Sequence, residues 1–199
     1  MSGAFPISNA KFSTMGIKSI QNTIISKSDS GKKLSRQIDG QRFGFTARII
    51  TAKRSDVYGE LMAFIIKQRS RKENFTIIPP EVEDARGTAS GTPQGTASAG
   101  ATSITLGGTG TGTLKAGDFI KFANHDKIYM VVADASDISS GTITIEPPLT
   151  TAVSSSNITY DNVPFTVYLT NDIQDFGAVG SDKDGNLLYQ FEFDVEEAL

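Results

Sequence analysis

Apolar and polar residues alternate strictly at both ends of this 199-residue chain, and that alternation is the strongest limit on its fold. In QRFGFTARII, Phe43, Phe45, Ala47 and Ile49 take one parity, and Arg42, Gly44, Thr46 and Arg48 take the other. Successive side chains of a strand point to opposite faces, so a period of two predicts a half-buried strand. Near the C-terminus, Val163, Phe165, Val167 and Leu169 face away from Pro164, Thr166, Tyr168 and Thr170. In LLYQFEFDV, Leu187, Tyr189, Phe191, Phe193 and Val195 line one face, opposite Gln190, Glu192 and Asp194. Such strands need sheet partners, and the stretch before them is too short to supply them alone. They are therefore expected to complete an N-terminal sheet, with the intervening residues inserted into it.

That division runs 1–86 plus 161–199 for the parent domain and 87–160 for the insert. In the parent, SIQNTIISKS and KKLSRQIDG are further strand candidates around the polar turn Asp29–Ser30–Gly31. Ser55 or Asp56 can cap a helix over about residues 55–69, with Val57, Tyr58, Leu61, Phe64 and Ile65 on its apolar face. Phe75 to Ile78 form a short strand stopped by Pro79 and Pro80. From Gly87 the composition changes: eight glycines fall in 26 residues, and no charge occurs until after Leu114. This predicts a Gly/Thr/Ser-rich linker over 87–113. LKAGDFIKF, KIYMVVADA, GTITIEPPL and NITYD then read as short strands of a small barrel or sandwich.

Charge is unevenly spread. Residues 1–86 carry 15 Lys and Arg against 8 Asp and Glu, while residues 87–199 carry 4 against 14. Nucleic-acid contact is one reading of a basic half, but neither a recognition helix nor aromatic–basic interleaving accompanies it. Self-complementarity, a positive face of one copy meeting a negative face of the next, fits better.

Catalytic chemistry finds little to work with. There is no Cys, which excludes disulfides, thiolate metal sites and thiol nucleophiles, and a single His, His125. His125 lies between strand candidates in Asn124–His125–Asp126 and reads as a solvated turn residue. Gly107 and Gly112 have P-loop spacing, but Thr113 and Leu114 stand where the Lys and the Ser or Thr belong. Asp182, Asp184 and Asn186 begin like a calcium loop, yet Leu187 replaces its Gly and Phe193 its terminal Glu, so a hairpin turn at Asp184–Gly185 is expected. The sequons at Asn74 and Asn157 carry no meaning without a secretory signal, and MSGAFPISNAKF has neither a basic nor an apolar signal region. No apolar run approaches the ~20 residues that span a bilayer. The reading is a non-enzymatic protein with no catalytic, cofactor-binding or metal-binding residues and no membrane insertion.

The order of the pieces is more specific than any one of them. FPISNAKFSTMGIKSIQNTIIS, then QRFGFTARI, then a helix running into AFIIKQRSRKENFTIIPP, resembles the N-terminal part of distal tail proteins of long-tailed bacteriophages. LKAGDFIKFANHDKIYMVV with TITIEPPLTTAV is similar to phage tail modules, and NVPFTVYLTND with FEFDVEEAL to their closing strands. The resemblance implies a mainly β fold: a split β-barrel with one flanking helix, carrying an inserted small barrel of oligonucleotide-binding-like shape. It implies a homo-oligomeric ring, a hexamer, in the virion at the tip of the tail tube. The expected partners are the tube protein and the hub or fibre proteins, with DNA only as passing cargo in the lumen. A tube subunit or baseplate wedge component is the alternative within phage tails. A carbohydrate-binding adhesion module is a further one, for which Phe119, Phe122 and Tyr129 are the available aromatics.

Overall fold

The computed structural model describes residues 3–7, 11–38 and 40–199. Residues 8–10 of the quoted N-terminal resemblance, residues 1 and 2 of the stretch read for a signal, and Asp39 of the third strand candidate lie outside the described residues. In chain order the first strands are β1 (Phe12–Ile20), β2 (Thr23–Lys27), β3 (Lys33–Gln37), β4 (Arg42–Ile49) and β5 (Ala52–Lys53). A helix, α1 (Gly59–Lys67), and β6 (Phe75–Ile77) follow. Next come β7 (Pro93–Ala97), β8 (Ser103–Gly108), β9 (Phe119–Phe122), β10 (Ile128–Val131), β11 (Gly141–Glu146) and β12 (Val153–Thr159). The last are β13 (Phe165–Leu169), β14 (Ala178–Ser181), β15 (Leu187–Tyr189) and β16 (Glu192–Glu197).

The protein is mainly β. Its central sheet has the order β1-β4-β16-β13-β6, antiparallel throughout, so the C-terminal strand β16 sits in the middle between β4 and β13. The alternation dictates the packing: Phe43, Phe45, Ala47 and Ile49 of β4, Phe193 and Val195 of β16, and Phe165, Val167 and Leu169 of β13 are all buried. They form one core with Tyr58, Leu61 and Ile65 of the helical segment. Burying side chains of this size contributes roughly 1.5–3 kcal/mol each, the dominant favourable term in such a sheet.

The helix starts differently from its expected cap. A wide turn over Arg54–Tyr58 precedes α1, and neither Ser55 nor Asp56 caps it; the Ser55 hydroxyl donates instead to Asp56. The Gly59 N–H bonds to the Arg54 carbonyl. A Cβ at Gly59 would lie 2.8 Å from that oxygen, so the wide turn closes only over glycine. LLYQFEFDV also departs from a single strand. It breaks after Tyr189, β15 joining β14 and β5 while β16 joins the central sheet. The break faces the bend between Ile49 and Ala52, where the neighbouring strand changes sheet as well. Leu187 is accordingly 55% exposed, whereas Phe191 is fully buried.

Strands β7 to β12 close a six-stranded barrel in the order β10-β11-β8-β7-β12-β9. That is one strand more than the five of an oligonucleotide-binding-fold barrel. The expected linker over 87–113 is not a linker, because β7 and β8 lie within it and pair with β12 and β11. Composition misleads here since the glycines answer to close packing. A Cβ on Gly95 would come within 2.6 Å of the Phe122 ring, and one on Gly112 (φ +89°) within 2.2 Å of the Thr88 carbonyl. Gly107, by contrast, has nothing within 4 Å. We predict that Gly112→Ala destabilises the protein by about 1–3 kcal/mol in urea unfolding while Gly107→Ala leaves it unchanged. Equal tolerance at both positions would indicate a flexible segment.

Candidate assembly surfaces and the junction that positions them

The barrel is fixed to the end of the central sheet by a buried polar cluster. Glu197 ends β16 at an inward position, continuing the parity of Phe193 and Val195, and its side chain is fully buried. Its carboxylate accepts from the Lys127 ammonium, from the Phe43 N–H at 3.1 Å and from the Ile128 N–H at 2.7 Å. Lys127, 3% exposed, also donates to the Gln41 side-chain carbonyl oxygen at 3.1 Å and lies 5.0 Å above the Phe43 ring. Gln41 in turn donates to Ser19 on the edge strand β1. Burial pushes the Lys127 pKa down and the Glu197 charge opposes that, so the ammonium depends on its partner. Around the pair, Phe119 of the barrel packs edge-on against Phe43 and Phe165 of the sheet at 5.3 and 5.8 Å.

None of this was read from the sequence. The available signal was a glutamate on the apolar parity of an otherwise alternating strand. Removing one partner of a buried pair strands the other charge in low dielectric. Glu197→Ala is therefore expected to cost roughly 3–5 kcal/mol in chemical denaturation, since it also orphans two N–H donors. Lys127→Met should cost less, because Glu197 keeps those donors.

His125 departs from the freely solvated turn expected of it. Its ring stacks on Phe122, its Nδ1 meets Asn124 Oδ1 at 2.8 Å, and its Nε2 meets the Tyr129 hydroxyl at 2.8 Å. The Tyr129 oxygen also accepts the Thr150 N–H. These partners suit a neutral ring with Nδ1 donating, and burial holds its pKa below the usual histidine value. A depressed histidine pKa means that the unfolded chain binds more protons between the two values. Stability from this residue is thus complete above about pH 6.5 and falls as pH drops through the folded-state pKa. Comparing urea midpoints from pH 8 to 5, native protein should show an acid loss that His125→Gln lacks.

The other sequence candidates are structural. Asp182 accepts from the Asp184 and Asn186 N–H groups and pairs with Lys53 at 2.6 Å, closing the turn between β14 and β15. Among the described residues no group of three or more His, Asp or Glu is placed to hold a metal ion. Phe122 and Tyr129 are fully buried and Phe119 packs on two rings, so the aromatics considered for carbohydrate contact belong to the cores.

The surface holds two features that invite a partner. The hairpin β2–β3 continues the β1–β4 ribbon beyond the sheet, through an Ile38 N–H to Asn22 carbonyl bond. Every residue of both its strands is exposed, including Ile24, Ile25 and Leu34 at 56, 56 and 53%. At the opposite sheet edge, the N-terminal segment lies against β6. The Phe5 N–H bonds to the Thr76 carbonyl at 2.7 Å and the Thr76 N–H to the Gly3 carbonyl at 3.1 Å. Beside them, Ile7, Ile78 and Pro164 line an apolar groove of about 290 Å³.

The fold is thus a closed six-stranded β-barrel docked on an antiparallel sheet through a buried polar cluster. Residues 83–163, which span all six barrel strands, match the family model described as Distal tail protein pb9, B domain. That match supports a phage distal tail protein, the chain being similar over this segment to the B domain of pb9. No curated protein matches the chain. This likeness points to a structural role in a phage tail. Among the described residues, no helix is long and apolar enough to cross a membrane.

Proposed function

We propose that this chain forms a closed homo-oligomeric ring, a hexamer, at the distal end of the tail tube. The ring joins the tube to the hub or receptor-binding apparatus and leaves a lumen for DNA. In this reading residues 1–86 and 161–199 make the ring, residues 87–160 form a peripheral domain, and the protein does no catalysis. The observation that carries it is the β2–β3 hairpin. A lone two-stranded hairpin is marginal in water, and this one carries three half-exposed aliphatic side chains with no packing of its own. Its chemistry makes sense against a neighbour, and a contact between unlike surfaces repeated around an axis closes into a ring.

Light scattering with negative-stain imaging at low and high salt tests the proposal. A single closed layer that loosens as salt rises is the expected result, because the charged part of the contact is screened. Open-ended tubes would assign the chain to the tube wall instead, and a monomer at every protein and salt concentration would contradict self-assembly.

A further inference from the structure

The two partner-seeking surfaces are complementary. In the hairpin, Lys27 and Lys33 stand directly opposite one another in the register, with Lys32 in the adjoining turn. Like charges directly across a ladder are unfavourable unless a counter-charge approaches. Ile25 shares the face of that lysine pair, and Ile24, Leu34 and Arg36 occupy the other face.

The β6 groove has the opposite character. Its apolar floor of Ile7, Ile78 and Pro164 runs directly into the turn Pro80–Val82. There Glu81, Glu83 and Asp84 are exposed, and Asp161 is held beside them by its bond to the Ala85 N–H. A basic, aliphatic ribbon and an acid-rimmed, aliphatic groove thus sit on one molecule.

Their placement prevents a simple contact within one copy. Ile20 pairs with Arg42 on one lateral edge of the sheet, and Ile77 pairs with Phe165 on the other, both at the end where the barrel is docked. Four inter-strand spacings, roughly 19 Å, separate the edges. The hairpin stays fully exposed rather than filling its own groove. Copies set side by side would bring the hairpin of one to the groove of the next, at the same height.

We propose that the β2–β3 hairpin of one copy seats in the β6-edge groove of the adjacent copy. Ile25, on the face of the lysine pair, enters between Ile7 and Ile78, and Lys27, Lys32 and Lys33 meet Glu81 and Asp84. This rests on the ring reading above and names the contact that builds the ring. Every copy uses both surfaces once, which is the heterologous arrangement that closes on itself.

Complementary charge reversal tests it on the full chain. One variant carries Lys27→Glu, Lys32→Glu and Lys33→Glu; the other carries Glu81→Lys and Asp84→Lys. All five positions are exposed, so circular dichroism melts should match those of the native protein. Each variant alone should need roughly tenfold or more protein to assemble, since like charges then face each other. An equimolar mixture should regain native-like assembly, because each hairpin then finds an opposite groove in the other variant. Ile25→Ser tests the apolar half separately, and should weaken assembly while leaving its salt dependence in place. If native protein assembles and both reversed variants assemble equally well, or the mixture stays dissociated, this contact is wrong and the ring reading survives. If native protein never assembles, the ring reading fails and this contact with it.

Discussion

One buried carboxylate holds the architecture together. Glu197 sits at the end of the central strand, where an alternating pattern calls for an apolar residue, and all its partners lie across the junction or on the neighbouring strand. Apolar contact alone, such as Phe119 against Phe43 and Phe165, would let the barrel slide or rotate at modest cost, since hydrophobic attraction has no direction. A carboxylate receiving an ammonium and two backbone N–H groups does have direction. It fixes the loop at Lys127 against the start of β4, and with it the barrel's orientation on the sheet. Such a cluster adds little net stability compared with an apolar substitute, and its contribution here is to a unique geometry.

That geometry bears on the assembly proposed above. The Phe43 end of the sheet carries the barrel, the root of the β2–β3 hairpin and, at the far edge, the groove beside β6. A cleft of about 390 Å³ separates Gln37, Gly40 and Gln41 at the hairpin root from the barrel turn at Pro147 to Thr150, so the two lie close without merging. A barrel free to swing would sweep through the approach of a neighbouring copy. Held in place, it would leave that approach open in the ring proposed above.

Much of this was legible in the sequence where one physical rule dominates. Period-two alternation located β4, β13 and β16 and their buried faces, because a strand with one dry face has no other way to arrange its side chains. Helical spacing found Tyr58, Leu61 and Ile65. Legibility failed where glycine has two meanings: in 87–113 it permits close packing of strands, while composition alone signals flexibility. It failed again at Tyr189, since a pattern of alternation does not report when a strand changes partner. The junction was hidden for a related reason. Lys127 and Glu197 are 70 residues apart in sequence, and only the fold brings them together. The family resemblance, drawn from the order of the pieces, reached the distal tail assignment that the match over residues 83–163 supports.

The central claim is that neighbouring copies meet hairpin to groove, and the chain's lack of cysteine makes it directly testable. Protein carrying Ile25→Cys and Ile78→Cys would be treated with a short thiol–thiol cross-linker under conditions where native protein assembles, then separated under denaturing conditions. The account predicts a ladder of covalent multimers that stops at the subunit number of the ring, with neither single-cysteine variant yielding more than background. A product confined to the monomer in fully assembled protein would contradict it.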